Sequence, residues 1–100
     1  MARTPEGKVK DQVAKLLKEF GVYYFFPSTH GYGRSGVPDI VGCMEGGKFL
    51  AIECKAKGGI PTALQSRELN QILRNNGLAL VVTPAEIPLL RLILQENSRA

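Results

Sequence analysis

The sequence predicts a three-layer α/β fold, element order α-β-β-β-α-β-α, with a mixed sheet between helices. Two helix starts are marked by a threonine and a proline, Thr4-Pro5 and Thr83-Pro84. Short β-branched and aromatic runs lie between them, and Glu45-Gly46-Gly47-Lys48 joins two of these runs as a tight hairpin. With 100 residues there is room for one core, so a single domain over residues 1–100 is expected. A composition that is 44% hydrophobic and 22% charged fits an ordinary globular chain.

In the first helix Val9, Val13, Leu16, Leu17 and Phe20 recur at helical spacing, while Lys8, Lys15 and Lys18 fall outside that stripe and Gly21 ends it. Residues 22–26 read as a strand stopped by Pro27, and residues 28–36, with three glycines, as a loop. Residues 40–44 and 49–56 read as the two antiparallel strands of the hairpin. Thr62 caps a second helix running to about residue 75, with Leu64, Leu69, Ile72 and Leu73 facing inward and Gly77 closing it. Residues 78–82 form a short apolar run of the kind buried on both faces. After it, Thr83 and Glu86 make a capping box before a last helix with Ile87, Leu90, Ile93 and Leu94 on one face, its start shifted by Pro88.

A formal charge of +4 and a pI near 9.3 favour polyanionic partners. No apolar run approaches the roughly 20 residues that span a bilayer. The first residues lack a secretory signal, so no membrane association and a cytoplasmic location are expected. Cys43 and Cys54 lie in apolar segments without CxxC spacing or clustered histidines, which predicts buried reduced thiols. So small a core gains from an added interface, which makes self-association an expectation.

Two polar positions interrupt strands that should be apolar. Asp39 follows Pro38 at the mouth of the second strand, and Glu53 and Lys55 share one face of the third, opposite Leu50, Ile52 and Cys54. Hairpin pairing brings Asp39 level with Glu53 and Lys55. Two carboxylates that close repel unless a cation or proton lies between them. A hard divalent ion, Mg²⁺ or Mn²⁺, held by Asp39 and Glu53 resolves that repulsion. Lys55 beside it suits electrostatic stabilisation of a phosphoryl transition state better than a base's role. Taken singly, Glu-X-Lys is often a solvated strand edge and Pro-Asp a turn; their ordered occurrence either side of a Gly-Gly hairpin favours a site.

Gly36-Val37-Pro38-Asp39-Ile40 and Glu53-Cys54-Lys55-Ala56, with thirteen residues between Asp39 and Glu53, resemble the PD-(D/E)XK nuclease signature as written in VRR-NUC domains. The helix-first order is also similar, so the resemblance covers residues 4–82 or so. It implies a restriction-endonuclease-like core and Mg²⁺- or Mn²⁺-dependent hydrolysis of DNA. In stand-alone dimeric members it implies cleavage of branched DNA such as Holliday junctions or flaps, by a homodimer in a bacterial cell or phage-infected host. It assigns Asp39 and Glu53 as metal ligands, the Cys54 backbone carbonyl as a third, and Lys55 as the catalytic lysine. Glu6 corresponds to an acid presented by the first helix and Gln65 to a glutamine of the next one. Each has a second explanation: an acid in a first helical turn is favoured by the helix dipole, and Gln65 completes a capping box with Thr62. Where the family often carries an aromatic residue shortly after this glutamine, the chain has Arg67-Glu68-Leu69.

The loop before Asp39 supplies further candidates for DNA binding: Arg34 foremost, with Tyr32 and Ser35, and Lys57 beyond the third strand. His30 is a solvated loop residue or a proton carrier. The lysines of the first helix form either a DNA-facing surface or a solvated face. The sequence therefore points to a metal-dependent, structure-specific DNA endonuclease. The alternatives are a catalytically inactive nucleic-acid-binding module on the same scaffold and, more remotely, a structural subunit.

Overall fold

The computed structural model describes residues 3–28 and 33–98. The Thr4 hydroxyl accepts the Gly7 N–H at 3.0 Å and opens α1 (Pro5–Glu19). Pro5 occupies the position where a missing N–H costs nothing. Val9, Val13, Leu16 and Leu17 are buried along one face of α1, and burial of each such side chain stabilises the fold by roughly 1.5–3 kcal/mol. Gly21, at φ +70°, takes the left-handed backbone that ends the helix.

Next come β1 (Tyr23–Phe25), β2 (Ile40–Met44), a short 3₁₀ turn at Glu45–Gly47, and β3 (Lys48–Cys54). They are followed by α2 (Ala63–Arg74), β4 (Leu78–Val82), a second 3₁₀ turn at Pro84–Glu86, and α3 (Ile87–Glu96). The sheet order is β1-β2-β3-β4, antiparallel at the first two junctions and parallel between β3 and β4. The expected α-β-β-β-α-β-α order and mixed sheet are both present. The parallel step requires a crossover, and α2 provides it.

The main core lies between one sheet face and the helices α1 and α3. There Ile40, Leu50, Ile52, Cys54 and Val82 pack with Val13, Leu17, Leu90 and Leu94. Residues alternate across β3, so Ala51 and Glu53 face the opposite side, where α2 lies. Both faces of β3 are thus covered from Leu50 onward. An exposed ion pair, Arg91 to Glu19 at 2.8 Å, joins α3 to α1.

Several expectations are corrected in detail. The third strand ends at Cys54 and not at residue 56, although the Lys55 N–H still donates to the Val82 carbonyl at 2.9 Å. β4 is a sheet edge and only half-buried over most of its length, because among the described residues no strand pairs with its outer side. In α2 only Leu69 is buried, while Leu64 and Leu73 are about half exposed, since the helix covers a narrow strip of sheet. Asn76, at φ +66°, and not Gly77, takes the left-handed position after α2. Cys43 is exposed: alternation along β2 turns it away from the face that buries Ile40 and Met44, and its cross-strand partners Tyr23 and Phe49 are exposed as well. Cys54 is buried as expected, and burial, followed by the nearby Asp39, pushes its thiol up to about 12.

Gly36 ties the loop before β2 to α2. Its φ is +84°, and a Cβ there would come within 2.6 Å of the Leu64 backbone. Gly36→Ala should therefore destabilise the protein by about 2 kcal/mol, read as a lower denaturation midpoint, and should disturb Asp39 three residues on. An unchanged midpoint would show that this loop is not packed as described.

Candidate metal centre

Three chain segments converge at one end of the sheet. Ile40 pairs with Ile52, which sets Asp39 beside Glu53, as the hairpin register requires. The start of α1 brings in Glu6, and the start of α2 brings in Gln65. One carboxylate oxygen from each of Glu6, Asp39 and Glu53 lies within 4.8 Å of the others. Oxygens on opposite sides of one hard cation are about 4–5 Å apart, given metal–oxygen distances of roughly 2.0–2.6 Å, so the three suit a shared ion.

Glu53 is 1% exposed, deeper than a polar face on a partly packed strand would place it. Its Oε2 accepts Gln65 Nε2 at 2.7 Å and lies 3.5 Å from Lys55 Nζ. Its Oε1 is buried with no hydrogen-bond partner among the described residues. An unsatisfied carboxylate oxygen costs several kcal/mol in such surroundings, which a bound cation would relieve. The donor set is all oxygen, the chemistry of Mg²⁺, Mn²⁺ or Ca²⁺.

Burial, and then repulsion from Asp39, raises the Glu53 carboxyl from 4.5 to about 7. Asp39 is fixed by the backbone: Cys54 N–H donates to its Oδ2 at 2.8 Å. Lys55 Nζ lies between the acids, 3.6 Å from Glu6 Oε1 and 3.5 Å from Glu53 Oε2, with its side chain 14% exposed.

Gln65 caps α2 and also reaches Glu53. Its Oε1 accepts the Thr62 N–H at 2.9 Å while its own N–H donates to the Thr62 hydroxyl at 3.2 Å, completing the capping box. Its amide nitrogen is then aimed at Glu53. Helix capping thus orients the hydrogen bond from Gln65 to Glu53.

The DNA-binding candidates divide. Arg34 and Ser35 line clefts beside Asp39, but the Arg34 guanidinium is 2.9 Å from the Glu68 carboxylate. Lys57 is exposed in the turn after β3. His30 and Tyr32 lie outside the described residues. The sequence reading overlooked Lys10, which lines the cleft at Asp39, and Glu68, the partner of Arg34. Spacing could have found Lys10, one turn from Glu6 on α1, whereas the packing of the loop on α2 has no sequence signal.

A raised Glu53 pKa favours the fold when the group is protonated. Its stabilising contribution is full below pH 4.5 and is lost as pH rises through about 7. In EDTA the wild type should lose up to about 3 kcal/mol more than Glu53→Gln between pH 4.5 and 8, measured by urea unfolding. Parallel pH profiles for the two proteins would show that Glu53 is not a strained carboxyl.

No family model matches the chain. Over 59 residues it is 42% identical to p44 of Acyrthosiphon pisum secondary endosymbiont phage 1, a protein whose own nuclease assignment is provisional. That match spans 59% of this chain and 60% of the phage protein, less than two thirds of the relative's length. A solved VRR_NUC domain superposes with a TM-score of 0.72 at 22% identity, covering 88% of this chain and 95% of that one. No helix among the described residues is long and apolar enough to cross a membrane. In architecture, this chain has the fold of a VRR_NUC domain.

Proposed function

We propose that this protein is a nuclease that hydrolyses DNA phosphodiester bonds with Mg²⁺ or Mn²⁺. The observation that carries the proposal is the buried, unpartnered Glu53 Oε1 beside Asp39 and Glu6, with Lys55 in the same cluster. The VRR_NUC fold and the nuclease name of the phage relative support the same reading.

Asp39, Glu53 and Glu6 would hold the divalent ion, joined by the Cys54 backbone carbonyl. When bound, such an ion supplies Lewis-acid chemistry, acidifying water and neutralising charge that develops on the scissile phosphate. Lys55, held near Glu53 and Glu6, stabilises that charge from its own side or orients the attacking water. Gln65 keeps Glu53 in position and leaves Oε1 free for the cation. Arg34, Ser35, Tyr32 and Lys57 serve as contacts to the DNA backbone. For Arg34 this entails exchanging Glu68 for a phosphate.

The finer reading is structure-specific cleavage of branched DNA, Holliday junctions or flaps, by a homodimer whose two-fold axis sets two sites on opposed strands. Support for a dimer comes from the unpaired outer edge of β4 and from Leu89 and Leu92 of α3, which are 52% and 57% exposed. One domain, located in the cytoplasm of a bacterial cell or phage-infected host, completes the proposal.

The direct test is cleavage of labelled four-way junction, flap, duplex and single-stranded DNA with Mg²⁺ or Mn²⁺. Asp39→Ala and Glu53→Ala should each lower turnover by about 10²-fold or more, and EDTA should abolish it. Lys55→Ala should lower turnover comparably without weakening Mn²⁺ binding. Full activity in Glu53→Ala would remove the proposed site, and DNA binding without cutting by the wild type would favour an inactive binding module. Leu92→Glu should convert a dimer to a monomer in light scattering; a monomeric wild type would contradict the two-fold arrangement.

A further inference from the structure

One cleft opens at Asp39, and a second adjoins it through Arg34 and Ser35. The smaller, about 190 Å³, has Asp39 in its lining together with Lys10, Arg34 and Ser35. The larger, about 670 Å³, is bounded by the same Arg34 and Ser35 and by Arg67 and Gln71 of α2. Because Arg34 and Ser35 border both, the clefts are two lobes of one groove. It runs from Asp39 over the Arg34–Ser35 ridge to Arg67.

The cations along this groove are in different states. Arg34 is neutralised locally by Glu68 at 2.9 Å. Lys10 and Arg67 have no ion-pair partner among the described residues. The natural partner for Lys10 is Glu6, four residues earlier on the same helix face, but Glu6 pairs with Lys55 instead. The Lys10 ammonium rests 4.9 Å above the Phe26 ring, which holds it at the cleft without cancelling its charge. Lys8, Lys15 and Lys18 are exposed and line neither lobe.

We propose that this groove is the track for the backbone of one nucleic-acid strand, with Lys10 contacting a phosphate on the Asp39 side and Arg67 one beyond the ridge. The proposal deepens the nuclease reading, on which it rests only for placing the scissile bond next to Asp39. Unpaired cations along an open groove recognise a polyanion through counterion release, and that signature is measurable.

The test takes the Glu53→Gln protein in EDTA as parent, so that the strand stays intact, and compares oligonucleotide binding between 50 and 200 mM salt. Lys10→Gln and Arg67→Gln, each added to the parent, should flatten the slope of log affinity against log salt. The expected change is about 0.7 for a single strand or 0.9 for a duplex, with weaker binding at low salt. Lys10→Arg should restore the slope. Lys18→Gln, the same change of charge on the same helix, should leave it unaltered. Equal slopes in all three glutamine variants, or no salt-dependent binding by the parent, would overturn the track. Flattened slopes combined with a wild type that cuts no DNA would uphold the track and remove the nuclease. Cutting by the wild type with unaltered slopes would do the reverse.

Discussion

Holding a carboxyl group at 1% exposure inside a sheet is unfavourable in either protonation state, because the ion loses its hydration and the acid loses hydrogen-bond partners. At Glu53 the fold compensates on one oxygen only. Gln65 and Lys55 attend Oε2, while Oε1 has no hydrogen-bond partner among the described residues. Glu6 and Asp39 each bring a carboxylate oxygen within 4.8 Å of one of Glu53's, so three acids share one small volume.

Each neighbour of Glu53 arrives by a different local device. The β2–β3 hairpin fixes Asp39 by register, and the Cys54 N–H then holds one of its oxygens. The Thr62 capping box starts α2 and in the same step orients Gln65. Thr4 and Pro5 start α1 one residue before Glu6, so the acid is presented from a first turn. Behind these termini the α1–sheet–α3 core holds the elements that carry Glu6, Asp39 and Glu53.

The order of elements and the convergence of Asp39 with Glu53 were legible because each rests on short-range rules. Period-2 alternation and a Gly-Gly turn set Asp39 level with Glu53, and capping chemistry located all three helices. What could not be read depends on how elements pack on one another. The depth of Glu53 follows from α2 covering its face, a relation that the alternation of β3 alone does not contain. The exposure of Leu64 and Leu73 reflects the narrow strip of sheet that α2 covers. Arg34 was recognisable as a loop cation, but its pairing with Glu68 arises only when the loop docks on α2, at the contact between Gly36 and Leu64.

Binding of a cation by Glu53 with Asp39 and Glu6, as proposed, would displace the proton that burial favours on the Glu53 carboxyl. Calorimetric titration with Mn²⁺, repeated in buffers of different ionisation enthalpy, measures affinity and proton release together. Mn²⁺ binding should tighten with pH, release more proton at pH 6.5 than at pH 8, and be lost in Glu53→Gln. Absence of Mn²⁺ binding at millimolar concentration, or binding and proton release unchanged in Glu53→Gln, would contradict a cation site at Glu53.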